Sequence, residues 1–208
     1  MTMRVVRRVS VIGACMMFFI GIVTVLNLHA QDTARGQSAK TNVDAALFAP
    51  IASVLVHPRC VNCHPMTDYP RQGNDRHRHL FLVARGTDDR GAAGARCTLC
   101  HQSQTQRDSG VPGAADWRMA PLAMAWESEP GVVMTAGALC RRVLDKSRNG
   151  GRDLHALEEH LQNDHFIQWA WNPGVNSRGQ ARETPPLSHE QFMQAVRRWT
   201  AAGAPCPD

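Results

Sequence analysis

Aromatic residues are scarce in this chain: one tyrosine, five tryptophans and six phenylalanines make up 6% of its 208 residues. Basic residues are not clustered either. The formal charge of +5 shrinks once residues 1–30 are set aside, because that stretch holds Arg4, Arg7 and Arg8 and no acid, which leaves 20 basic against 18 acidic residues. A nucleic-acid partner calls for a basic patch with interleaved aromatics; neither is present, so no nucleic-acid role is expected. No stretch alternates apolar and polar residues in the manner of a strand. No Ser/His/Asp set, carboxylate pair or phosphate loop points to hydrolysis or phosphoryl transfer. The length allows one domain or at most two small ones, and 20% charged residues is ordinary for a globular chain.

A long apolar run occurs at the start. Residues 1–30 open with the three arginines, continue as an apolar segment from Val9 to Leu28 and reach Leu28-His29-Ala30, a tolerable cleavage site before Gln31. This reads as an export signal and places the mature protein in the periplasm. The same run is long enough to stay in the bilayer uncleaved, which would anchor the protein to the inner membrane; a membrane association is expected in that case alone. Cys15 lies in the middle of the run, where a lipid-attachment cysteine should end it, and is read as incidental. Residues 31–41 form a polar linker, and residues 42–208 a single domain.

Six cysteines lie outside the signal: Cys60, Cys63, Cys97, Cys100, Cys140 and Cys206. Four of them sit in "RCVNCHP" and "RCTLCHQ", two Cys-Xaa-Xaa-Cys-His runs offset by 37 positions. This spacing is that of covalent heme c attachment. Two cysteines one turn apart face the same way and can form thioethers to the two vinyl groups on one porphyrin edge, and the histidine that follows is the proximal iron ligand. Cys60 and Cys63 would hold one heme above His64, and Cys97 and Cys100 a second above His101. A zinc site built from both cysteine pairs usually has 15–20 residues between them; here Cys63 and Cys97 have 33. Zinc also gives no reason for a histidine after each pair, and a redox dithiol needs one pair only. Two porphyrins supply large apolar faces to a chain poor in aromatics, so the fold expected is mainly α, with short helices and long loops packed around two hemes. The lone pair, Cys140 and Cys206, is expected to oxidise to a disulfide in an exported protein.

Whether each iron is closed depends on its sixth ligand. For the first heme the candidate is His79 in "DRHRHLF", with His77 and Met66 behind it. For the second it is His160, beside the apolar face of a helix, with Met124 in "MAPLAMAW" as the alternative. His155, His165 and His189 read as exposed or capping.

Helices are expected over Val43 to Val56, around Ala138 to Asp145, over Asp153 to Asn163 with Asp153 as cap, and from Ser188, where Ser188 and Gln191 form a capping-box pattern. His57-Pro58 ends the first of these and leads into the first heme motif. The tryptophans, including those of "WAWNPG", are expected to wall the porphyrins.

The whole region from "FAPIASVLVHPRCVNCHP" to "WTAAGAPCP" resembles small exported diheme c-type cytochromes, some of them labelled as cytochrome subunits of isoquinoline 1-oxidoreductase, a molybdenum hydroxylase family. The two heme motifs, "HLFLVARG", "APLAMAW", "ALCRRVLD" and "WAWNPG" carry the resemblance. It implies an electron carrier that takes single electrons from a periplasmic dehydrogenase and delivers them to a respiratory acceptor, because the chain has no molybdopterin or iron-sulfur motif of its own. The rival readings are a diheme peroxidase with one open iron and a heme-based ligand-binding module.

Overall fold

The computed structural model describes residues 43–208 together with Arg35 and Lys40. The expected export signal at 1–30, and the linker apart from those two residues, lie outside the described residues. Residues Val43–Asp208 make one compact unit.

Helical residues 43–55 form α1. Phe48, Ile51, Val54 and Leu55 recur at helical spacing and are buried, and Pro50 sits within the helix without ending it. At the end of α1 the ring of His57 accepts from the Arg59 N–H, and Pro58, which needs no hydrogen-bond partner for its nitrogen, opens α2, Pro58–Val61. Two small antiparallel hairpins follow: β1, Arg71–Gln72, with β2, His77–Arg78; and β3, Gly91–Ala92, with β4, Ala95–Arg96. A third pairs β5, Glu127–Glu129, with β6, Val132–Val133. The remaining helices are α3, Ala136–Leu144; α4, Leu154–Asn163; α5, His165–Trp169; and α6, His189–Ala201. The side chains of Thr135, Asp153, Asp164 and Ser188 cap them by accepting from free backbone N–H groups, and Ser188 with Gln191 completes a reciprocal capping box.

Secondary structure is thus mixed, where a mainly α pattern was expected. The hairpins left no trace in the sequence because strands of two or three residues are too short to show a period of two. Helix α5 was missed because five residues do not complete two helical turns.

The hydrophobic core is helical. Buried residues of α1, α3, α4 and α6 meet in one cluster that also takes in Trp126 and Ala204. Cys140 on α3 is joined to Cys206 by a disulfide, and the Trp199 indole donates to the Pro205 carbonyl at 2.8 Å. Gly137 permits the chain end to lie on α3, since a Cβ there would stand 2.4 Å from the Pro207 carbonyl oxygen.

Residues 66–113 contribute nothing to that cluster; buried charge ties their loops to the rest. Glu127 is buried, with its carboxylate accepting from Arg71, Arg76 and the Met66 N–H. Removing it strands two half-buried guanidiniums. Glu127→Ala is therefore expected to lower stability by about 3–5 kcal/mol, read as a fall in the denaturant midpoint of the mature protein; a shift equivalent to less than about 1 kcal/mol would show that the pair contributes no more than a surface bridge.

Candidate metal centre

Both Cys-Xaa-Xaa-Cys-His runs fold as a single turn. In the first, the Cys63 N–H donates to the Cys60 carbonyl and the His64 N–H to that of Val61, each at 3.2 Å. In the second, Cys97–Leu99 form a 3-10 turn, and the His101 N–H donates to the Cys97 carbonyl at 3.0 Å. None of these four cysteines is in a disulfide, in contrast to Cys140 and Cys206.

The two histidines are held in the same way by unrelated parts of the chain. His64 Nδ1 donates to the Met124 carbonyl at 2.7 Å, and its ring stacks on Trp126 with centroids 3.6 Å apart and planes 9° from parallel. His101 Nδ1 donates to the Pro112 carbonyl at 2.7 Å, and its ring stacks on Trp117 at 4.5 Å and 2°. A hydrogen bond at Nδ1 fixes the tautomer and leaves Nε2 as the atom with a free lone pair. Each motif therefore offers one oriented imidazole nitrogen, the arrangement a metal ligand requires.

One stretch of chain, 117–126, serves both sites. Trp117 at its start stacks on His101; the Ala120 N–H donates to the Cys63 carbonyl and the Trp126 N–H to that of His64, at 2.9 and 2.8 Å. Met124 supplies the carbonyl for His64 and Trp126 the stack. Buried Arg85 locks this stretch against the loop before it, donating to the carbonyls of Pro65, Thr67 and Ala120 and pairing with Asp89.

Burial holds the His64 pKa down at about 4, against the opposing hydrogen bond to Met124 and with small contributions from the charges of His160 and Arg85. His101 is also lowered, again chiefly by burial. Both rings are neutral at pH 7, the form that ligates iron. Burial pushes the Cys60 thiol up to about 12 and Cys63 to about 11, the latter also raised by Cys97. Surroundings of this kind favour an uncharged sulfur, as in a thioether, and disfavour the thiolate that zinc binding or dithiol exchange needs.

These residues fit heme. Among the described residues no three His, Cys, Asp or Glu side chains converge; a heme c site asks for two cysteine sulfurs on one turn and a histidine beside them, which each motif supplies. Two buried indole N–H groups lack an acceptor among the described residues: that of Trp126, stacked on His64, and that of Trp169, whose ring meets Trp117 edge-on at 5.0 Å. Porphyrin carboxylates are acceptors of the kind they lack. Cys60, Cys63 and His64 would hold one heme, and Cys97, Cys100 and His101 the other.

The distal candidates fall differently from their order in the sequence. His79, expected at the first heme, stands beside His101, with ring centroids 5.9 Å apart. His160, expected at the second, lies on α4, which packs into the core cluster that includes Trp126, the residue stacked on His64. The Met124 carbonyl lies behind His64, which sets Met124 beside the first motif. His77 turns to Asp75 at 2.6 Å, and Met66 is exposed. Of the remaining histidines, His155 is exposed, His165 donates to the Ala115 carbonyl and His189 to that of Leu161.

Sequence reasoning missed the roles of Arg85, Pro112 and Trp117. An arginine or proline in a loop carries no local signal of what it will touch, although two tryptophans bracketing 117–126 hinted at a shared wall. Comparison of the chain with protein-family models, with curated proteins and with solved structures finds no match.

Proposed function

We propose that this protein is an exported diheme c-type cytochrome that relays single electrons between a periplasmic dehydrogenase and a respiratory acceptor. The observation that carries the reading is the identical treatment of His64 and His101: each has Nδ1 committed to a backbone carbonyl and its ring stacked on a tryptophan, leaving Nε2 for iron. The disulfide between Cys140 and Cys206 suits an oxidising compartment, in keeping with residues 1–30 as an export signal. Heme supplies one-electron chemistry when bound. The protein's part would be to hold Nε2 of His64 and His101 free and oriented, to offer the cysteines of each motif on one turn, and to brace both turns with the 117–126 stretch.

A carrier needs closed irons; the His79 ring stands beside that of His101, and His160 is the candidate for the other iron. The protein matured in a host that attaches heme c is therefore expected to gain the mass of two hemes and to show c-type bands, with a reduced spectrum that carbon monoxide leaves unchanged. A gas-induced shift of half the absorbance would favour the peroxidase or ligand-binding reading. Absence of covalent heme would overturn the proposal altogether.

A further inference from the structure

We propose that the distal ligand of the second motif crosses the order of the sequence, with His79 sharing an iron with His101. The inference rests on the heme reading above and deepens it by pairing the ligands.

His79 and His101 are set for one metal ion between them. The Nδ1 of His79 donates to the Leu80 carbonyl at 2.6 Å, as that of His101 does to Pro112, so on both rings Nε2 alone is free. With a metal–imidazole bond of about 2.0 Å on each side and about 1.1 Å from each nitrogen to its ring centre, two imidazoles on one metal have centroids about 6 Å apart. The observed separation is 5.9 Å.

The backbone that carries His79 supports the same conclusion. Its N–H donates to the Pro70 carbonyl, and the next N–H, of Leu80, to the Gln72 side chain. Phe81 and Leu82 then adopt φ of 63° and 52°, left-handed conformations that cost about 1–3 kcal/mol each for residues of this kind. Phe81 and Leu82 are 90% and 74% exposed, so core packing does not offset that strain. A bond from His79 to iron would.

The alternative is an ordinary edge-on contact between two neutral imidazoles, which also falls at this separation. The deciding experiment uses a variant with one heme, Cys60→Ser/Cys63→Ser, whose intact mass reports whether the second heme is attached; absence of heme there and in the full protein would be a failure of the heme reading, not of the pairing. With heme present, adding His79→Ala is expected to convert a reduced spectrum inert to carbon monoxide into one that binds it stoichiometrically, and added imidazole to reverse the change. If the spectrum stays inert, the pairing is overturned. Should the one-heme variant not fold, nuclear Overhauser contacts in the reduced wild-type protein decide: the pairing expects the His79 ring protons to contact the heme attached to Cys97 and Cys100, and contact with the heme on Cys60 and Cys63, or with neither, overturns it.

Discussion

Produced without heme attachment, the chain is expected to lose amide-exchange protection across residues 66–113 while α1, α3 and α6 keep theirs. The reason is where the apolar contacts lie. The core cluster draws on α1, α3, α4 and α6, and none of its residues comes from 66–113. That segment holds two hairpins of two-residue strands, a strained turn, and large apolar side chains at the surface, among them Leu80, Phe81, Leu82 and Leu99. Isolated hairpins are marginal in water, and the ion pairs of Arg85 and Glu127 link the loops without burying apolar area to offset their ordering entropy. Two porphyrin faces would supply that area. Hydrogen exchange followed by mass spectrometry on the Cys60→Ser/Cys63→Ser/Cys97→Ser/Cys100→Ser protein checks this: near-random-coil exchange in 66–113 beside slow exchange in the helices is the expected result. Uniform protection would show that the loops fold by themselves. Uniform loss would show that the helical core depends on heme as well.

The second large effect is expected at the disulfide. Cys140 and Cys206 close a loop spanning 66 positions, and in the chain-entropy account a cross-link of that span stabilises by about 4 kcal/mol. The bond also fixes the chain end on α3, where Gly137 and Trp199 accommodate it. Cys140→Ser/Cys206→Ser is expected to lower the stability of the heme-loaded protein by about 4 kcal/mol, seen as a fall in denaturant midpoint with the c-type spectrum retained. The helical core carries the loss, since neither cysteine belongs to a heme motif. A drop below about 1 kcal/mol would mean that the packing of Gly137 and Trp199 holds the chain end by itself.

Much of the helical side was legible. Ile51, Val54 and Leu55 announced α1, Asp153 its helix, and Ser188 with Gln191 the start of α6, because caps and apolar spacing are local signals; for the first turn of α1 the sequence pointed to Leu47, whereas Phe48 is the buried residue. Cys140 and Cys206 were read as partners because four of the six cysteines were already assigned. The loops were not legible, since what orders them is contact between distant residues: Arg85 with the Pro65 and Ala120 carbonyls, and Glu127 with Arg71 and Arg76. An arginine in the sequence does not say which carbonyls it will meet.

By itself, then, the sequence singled out the proposed attachment residues, Cys60, Cys63 and His64 and Cys97, Cys100 and His101, because Cys-Xaa-Xaa-Cys-His is a motif complete within one turn of chain. Only the tertiary structure placed His79 beside His101. His79 lies nearer to His64 along the chain, yet the β1–β2 hairpin carries it to His101. Position across a fold is set by packing and backbone pairing between remote segments, and sequence distance does not encode it.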